Sequence, residues 1–481
     1  MKSLALGCCT TVFLLLMPTQ SAGTITFVQT WWWGEVNSFA YNVHQVSDGG
    51  YVVSAAAGFS GNPMCMALVR TDSLGDTLWV RFYNHGADRT DGGYSCMTWD
   101  HGYALLGGFL SQETGYDIFV LRTDSLGDTL WSFVYAGPGL DNGVAIIPTF
   151  DRGLAITGHI SDANRWACGL MKLDSTGHMT WLRIYEVPGY PDAKGYSVQQ
   201  MPDSGFVIAG HVSDTTQHPW LYLVRTDPQG ETLWSRVYDP KLELSFGLSV
   251  CVTRDSGFAI TGIGNDPDTS QARDATFLLK TDWKGDTLWL RRYHGSTVGN
   301  LDAYCVRQTA DLGFVLAGDN SASRSRPWLQ RTDSLGDSLW ARVFEGLAPG
   351  CAYDVQQSRD GGYVVSALAN DYYACLVKTD SLGLVSSVTE NPMSGPFRRV
   401  LSAWPNPFSG LVHLELPFPA AESATLRIFD ASGKLVKNMY PGAQAVWDAV
   451  DDRGSAVQNG VYFARLTQGK ETLSQKLLLV R

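Results

Sequence analysis

The side chains with chemistry to offer are those that break an otherwise regular pattern. Asp91, Asp141, Asp192 and Asp302 are expected in the loops between strands two and three or between strand four and the next strand one of a repeat, which share one face, as are His85, Asp88, Arg89, Asp266, Asp268 and Asp354. Trp31, Trp32, Trp33, Trp220 and Tyr190 add aromatic surface near them. Two carboxylates at a fixed separation can cleave a glycosidic bond as general acid and base. The same carboxylates beside aromatic rings can hold a sugar without cleaving it. The expected ligand-binding set is Asp91, Asp141, Asp192, Asp302, Trp33 and Trp220, and no catalytic residue is assigned. Histidines are scattered singly, and none accompanies a Ser or Cys motif. The nucleophile elbow, the phosphate-binding loop and the dinucleotide fingerprint are absent. Asn265-Asp266-Pro267-Asp268 offers oxygen ligands for Ca²⁺ but lacks the Gly and distal Glu of an EF-hand loop, so no cofactor is assigned.

The elements that must position these residues are repeats. Arg70-Thr71-Asp72-Ser73-Leu74-Gly75-Asp76-Thr77-Leu78-Trp79 returns at Arg122 to Trp131, and again with drift up to Trp181, Trp234, Trp289 and Trp340. A second marker, Asp-x-Gly followed by an aromatic, precedes each copy at Tyr51, Tyr103, Phe206, Phe258, Phe314 and Tyr363, with Leu154 as the aliphatic exception. Seven units of about 50 residues result. Each reads as four short strands, the last two joined by an Asp-x-x-Gly hairpin. There the Asp can accept backbone N–H groups and Gly can take positive φ. Asp72, Asp124, Asp174, Asp227, Asp282, Asp333 and Asp380 are therefore structural, because a catalytic residue has no reason to recur seven times. The six recurrent tryptophans read as packing between units, with Arg81 and Arg236 stacked on Trp79 and Trp234 for about 0.5–1 kcal/mol each. Gln45, Gln200, Gln308 and Gln357 fall on first strands, expected near a central channel as hydrogen-bonding residues.

The seventh unit stops after Asp380-Ser381-Leu382-Gly383 without its fourth strand, while Thr24 to Trp31 is a spare strand ahead of the first unit. One completes the other if the N-terminus closes a ring through the last unit, which also removes exposed edges. The expected fold is all-β: a seven-bladed β-propeller of four-stranded blades, the N-terminal strand closing the last blade. The repeat resembles the tandem repeats of secreted proteins from Bacteroidetes-like bacteria. It is distantly similar to the Asp-box of sialidase propellers. The turn spacing differs, however, so no sialidase residue role is carried over.

A net charge of −11 with no long basic run argues against nucleic acid. Lys2 and the apolar stretch from about Leu4 to Met17 read as a secretory signal over residues 1–23, cleaved between Ser21 and Gly23. Ala5-Leu6-Gly7-Cys8 is a poor lipoprotein box, since much of the apolar region lies beyond the cysteine. No further apolar run is long enough to span a membrane. Seven cysteines remain after the signal, an odd number. Cys65, Cys168 and Cys375 share one recurring strand and Cys96, Cys251 and Cys305 another, which favours core packing over disulfides or metal.

Residues 384–400 read as a linker, and 401–481 as a second all-β domain of short alternating strands. Pro405-Asn406-Pro407, the run from Ile428 to Val436 containing Gly433, Trp447-Asp448, Gly454, Gly460-Val461-Tyr462 and the terminal strand with Lys476 stand in order there. This stretch resembles the type A C-terminal sorting domain of the type IX secretion system, an immunoglobulin-like β-sandwich. The resemblance implies the type IX machinery as partner, translocation across the outer membrane, then cleavage and surface attachment or release. The functional expectation is a secreted or surface propeller, non-catalytic, binding an unidentified polymer or protein. A secreted polysaccharide hydrolase or lyase and a structural envelope component are the alternatives.

Overall fold

The structure, a computed structural model, describes residues 25–33, 38–58, 64–84, 90–111, 115–137, 141–162, 165–240, 242, 244–266, 273–294, 300–321, 324–385, 401–404, 408, 410–415, 424–439, 444–468 and 471–479. The signal segment, most of the 384–400 linker, His85, Asp88, Arg89, Asp268 and Pro405-Asn406-Pro407 lie outside these residues, as do the side chains of Asp91 and Asp266.

The chain is all-β. Among the described residues, six antiparallel sheets of four consecutive strands occupy 39–83, 90–135, 141–185, 192–238, 245–293 and 300–343. In the seventh, Cys351–Gln357, Tyr363–Ala369 and Tyr373–Thr379 are completed by Phe27–Trp31, whose Phe27 pairs with Lys378 and Trp31 with Ala374. The first strand of each sheet touches the first strands of its two neighbours, and that of the seventh touches that of the first. The arrangement is a closed, propeller-like ring with the first strands innermost.

The two sequence markers meet at the junctions between sheets. Trp181, Trp234, Trp289 and Trp340 stand edge-on to Phe206, Phe258, Phe314 and Tyr363 of the following sheet, with ring centroids 5.6–6.0 Å apart. Phe27 takes the same place against Tyr51 at 5.8 Å, so the closing strand imitates the missing tryptophan strand. Trp31 Nε1 also donates to Thr77 Oγ1 of the first sheet (2.9 Å). The expected cation–π stacks form at five tryptophans, with Arg81, Arg183, Arg236, Arg291 and Arg342 at 5.3–6.0 Å from their rings. The turn aspartates behave as read: Asp72 Oδ1 accepts the N–H groups of Leu74 and Asp76, both at 2.9 Å.

The Asp-x-Gly marker has a second purpose. Its aspartates pair with the cation two residues before each turn aspartate: Arg70 with Asp48, Arg122 with Asp100, Lys172 with Asp151, Arg225 with Asp203, Lys280 with Asp255, Arg331 with Asp311 and Lys378 with Asp360. All seven cations are buried. The Gly is needed because a Cβ at Gly50 would lie 2.3 Å from both Arg70 Nη1 and the Thr71 carbonyl oxygen. The recurrent glutamines bridge neighbouring sheets instead of merely lining a channel. Gln200 Oε1 accepts the Phe150 N–H at 2.8 Å, and Gln45 Oε1 accepts the Arg359 N–H at 3.0 Å across the ring closure.

Every first strand carries a one-residue bulge, at Tyr41, Gly93, Val144, Tyr196, Leu248, Tyr304 and Tyr353. A bulge bends its strand and re-aims the neighbouring side chains. Four of the residues just after it accept a backbone N–H from the next first strand: Asn42 from Ser95, Ser197 from Val250, Ser249 from Val306, and Asp354 from Val43. Asp354 does most. Its carboxylate also takes Arg307 Nη2 at 2.9 Å, Cys305 Sγ at 3.1 Å and Asn42 Nδ2 at 3.5 Å, joining the sixth, seventh and first sheets while its side chain is 2% exposed.

Of the seven cysteines among the described residues, six are buried and Cys351 is half-buried, and none of these is disulfide-bonded. Beyond the ring, two further sheets share a core. One holds Ser402–Trp404, Val412–Glu415 and Gln444–Trp447; the other holds Thr425–Asp430, Leu435–Met439, Gly460–Gln468 and Glu471–Leu479. Their common interior includes Trp447, Leu414, Leu426, Ile428, Ala464 and Leu477. Fully buried Trp447 lies between Phe408 (5.6 Å) and Tyr462 (5.1 Å) and donates to the Val450 carbonyl at 2.9 Å. Gly433 takes φ of 86° in the turn after Asp430, Gly460 opens its strand, and Lys476 is exposed on the last strand.

Candidate functional site

The residues picked out from sequence are distributed around the ring. Trp33 comes just after the closing strand and stands edge-on to Phe82 of the first sheet, centroids 5.7 Å apart. Asp91 lies in the first strand of the second sheet, Thr90–Met97. Asp141, which opens the first strand of the third sheet, is buried and accepts the N–H groups of Gly137 (3.0 Å) and Ser161 (3.3 Å). Burial raises its carboxyl above the usual range, against the pull of those two donors. Asp302 lies in the sixth sheet, opposite Asp319.

Only Asp192 and Trp220 share a sheet, the fourth. Asp192 Oδ1 accepts the Trp166 N–H from the third sheet at 3.0 Å. Trp220 Nε1 reaches Asp214 Oδ2 at 3.4 Å, and its ring lies 4.7 Å from that of His218. The Thr216 hydroxyl and the His218 N–H hold the Asp214 carboxyl down at about 2. Asp354, grouped by sequence with the loop carboxylates, is instead the buried tie between the sixth, seventh and first sheets.

The structure assembles a cluster that the individual residues do not announce. Five rings form a continuous arc across three sheets: Trp166 to His159 (5.2 Å), His159 to Tyr196 (6.3 Å), Tyr196 to His211 (5.5 Å, 18° between planes) and His211 to Phe246 (4.9 Å). Lys194 Nζ sits 4.9 Å over the Trp166 ring. Tyr196 is the bulge residue of its strand, and Gly195 permits the approach, because a Cβ there would meet Thr157 Oγ1 at 2.5 Å and Cys168 Sγ at 2.9 Å. A second arc, Tyr94–Tyr41–Tyr353–Tyr304, continues around the inner strands at 4.8, 5.5 and 5.8 Å.

His159 and His211 are equivalent in successive repeats, each after a Gly, Gly158-His159-Ile160 and Gly210-His211-Val212. That recurrence was the available signal, so these two histidines are not scattered. Burial pushes both imidazoles down to about 4; the Lys194 ammonium acts in the same direction, and for His211 so does His159, while Asp192 opposes. Burial likewise lifts the Tyr196 phenol to about 12. At neutral pH the arc therefore holds neutral imidazoles and a protonated phenol beside Lys194.

These shifts set the acid response. A depressed imidazole contributes stability that is complete above its unfolded value of 6.5 and is lost as pH falls towards about 4, because only the unfolded chain takes up the proton. The lowered carboxyls of Asp48, Asp100, Asp151, Asp255, Asp311 and Asp360 act in a lower window, their contribution disappearing as pH drops below the ordinary carboxylate range. Thermal denaturation should show the midpoint declining from pH 6.5 towards 4, with a shallower decline in His159→Gln/His211→Gln. Equal slopes would reject the assignment.

Comparison with curated proteins by sequence gives no match. Among solved structures, Drosophila Semaphorin 2a aligns at TM-score 0.46 and 8% identity over 91% of this chain and 96% of its own. Polysaccharide lyase Uly1 aligns at 0.46 and 10% identity over 71% and 90%. PorZ, described as an essential bacterial surface component of the type-IX secretion system of Porphyromonas gingivalis, aligns at 0.25 and 10% identity over 92% and 81%. Among the described residues no helix is long and apolar enough to cross a membrane. The two-sheet unit built around Trp447 is a different matter: residues 402–480 match the family described as the secretion system C-terminal sorting domain, and the chain carries the type IX export signal that its C-terminal motifs resemble.

Proposed function

We propose that the chain is delivered by type IX secretion as a seven-bladed β-propeller, residues 24–383, tethered through 384–400 to an immunoglobulin-like sorting domain at 401–481. The signal at 1–23 directs the first step of export. Outside the cell the propeller is a non-catalytic module that binds a polymer. The observation that carries this reading is the arc Trp166–His159–Tyr196–His211–Phe246. Half-buried Trp166, His159, Tyr196 and Phe246 run in a row across three sheets around buried His211, an aromatic surface along which an extended ligand can lie. Asp141 and Asp192, the carboxylates that a hydrolase would draw on, instead accept backbone N–H groups.

The test is a polysaccharide and glycan panel against the full mature chain, with product analysis and the Trp166→Ala and Tyr196→Phe variants alongside. Binding without products, weakened by Trp166→Ala, is the expected result. Released oligosaccharides would replace the reading with a hydrolase or lyase. Absence of any polymer binding would leave a protein partner or a structural envelope role.

A further inference from the structure

Lys194 differs from the buried, aspartate-paired cations of the ring. The seven buried lysines and arginines of the repeat each have an aspartate, and Arg307 has Asp354. Half-buried Lys194 has no ion pair or hydrogen-bond partner among the described residues, and its ammonium is held over Trp166. It lies directly opposite His211 in the sheet pairing. His159 Nδ1 and His211 Nδ1 are buried without a hydrogen-bond partner. Exposed Arg165 adjoins Trp166 in sequence, so a second cation flanks the platform. Asp192, two residues away, is occupied by the Trp166 N–H and by Gln217 Nε2 at 3.5 Å.

An ammonium with no ion pair among the described residues, beside imidazoles whose Nδ1 atoms are buried, is a local place for an anion despite the net charge of −11. The half-buried Trp166 ring next to it suits the apolar face of a sugar ring. We propose that the Trp166–Lys194 pair, backed by buried His211, selects acidic sugar units, carrying a carboxylate or a sulfate ester, of an extracellular polysaccharide. This rests on the arc being the binding surface. The anionic group pairs with Lys194, and the sugar face lies on Trp166.

The experiment is titration calorimetry of the full mature chain with polygalacturonate, alginate, hyaluronan and dextran sulfate, each paired with its carboxyl-reduced or unsulfated counterpart. At least one acidic polymer should bind about tenfold or more tightly than its neutral twin, the scale of one charge-assisted contact. Lys194→Met, which keeps the apolar stem, should erase that preference without moving the thermal midpoint. Raising the salt concentration should weaken only the acidic partner. A carboxylate and a sulfate ester are told apart by which arm responds. Equal affinity for both members of every pair, or wild-type selectivity in Lys194→Met, would overturn the inference while leaving the polymer-binding reading intact. Failure of every polymer, acidic and neutral, would overturn both.

Discussion

Asp354→Ala should lower the stability of the ring by about 3–5 kcal/mol, the usual cost of removing one partner from a buried ion pair. The substitution leaves the Arg307 guanidinium without its carboxylate and the buried Val43 N–H without its acceptor. It does so at the junction where the seventh sheet meets the first, so the loss falls on ring closure. Asp354→Asn retains an oxygen for Val43 but discharges the pair, and should fall between the alanine variant and wild type. Urea unfolding followed by tryptophan fluorescence reads both. A midpoint shift in Asp354→Ala worth less than about 1 kcal/mol, the scale of an exposed pair, would mean that the carboxylate does not tie the sheets together.

The second large effect belongs to the sorting unit. Trp447→Ala removes a fully buried indole from between Phe408 and Tyr462, together with its hydrogen bond to Val450. Large-to-small changes of this kind cost about 3–5 kcal/mol, a large share of what a small domain has to lose. The expected result is a sorting unit cut rapidly by protease while the ring resists, and a protein missing from both the cell surface and the medium. Trp447→Phe should restore part of each. Normal export of Trp447→Ala would show that the sorting signal is read as a linear motif and not as a folded surface.

The ring was legible because its markers recur. Trp79 and its five counterparts, and the Asp-x-Gly turns, announce themselves by spacing, and the spare strand near Phe27 announces the closure. What escaped was pairing between markers. Arg70 and Asp48, and their counterparts in the other repeats, are visible in the sequence, yet only the fold shows that the strands bring them together. The arc escaped for a different reason. Tyr196 looks like one more repeat position until the bulge turns it, and His159, Lys194 and Phe246 come from three sheets whose facing depends on such bulges. Side-chain direction after a bulge is set by one residue of register, which periodicity does not report.

The closing strand has a kinetic consequence. Phe27 finds Lys378 across almost the whole length of the ring, a contact of high sequence separation that is slow to form and pays loop-closure entropy before any reward. Until residue 379 has emerged from whatever pore delivers it, the first and last sheets each present an unmatched edge to the surroundings. A chain lacking the strand that ends at residue 379 cannot make the Phe27–Lys378 pairing that completes the seventh sheet. Because the sorting unit lies beyond the last sheet, any chain that displays it already contains everything needed to shut the ring. Order along the polypeptide thus places the sorting-domain match after every strand that ring closure requires.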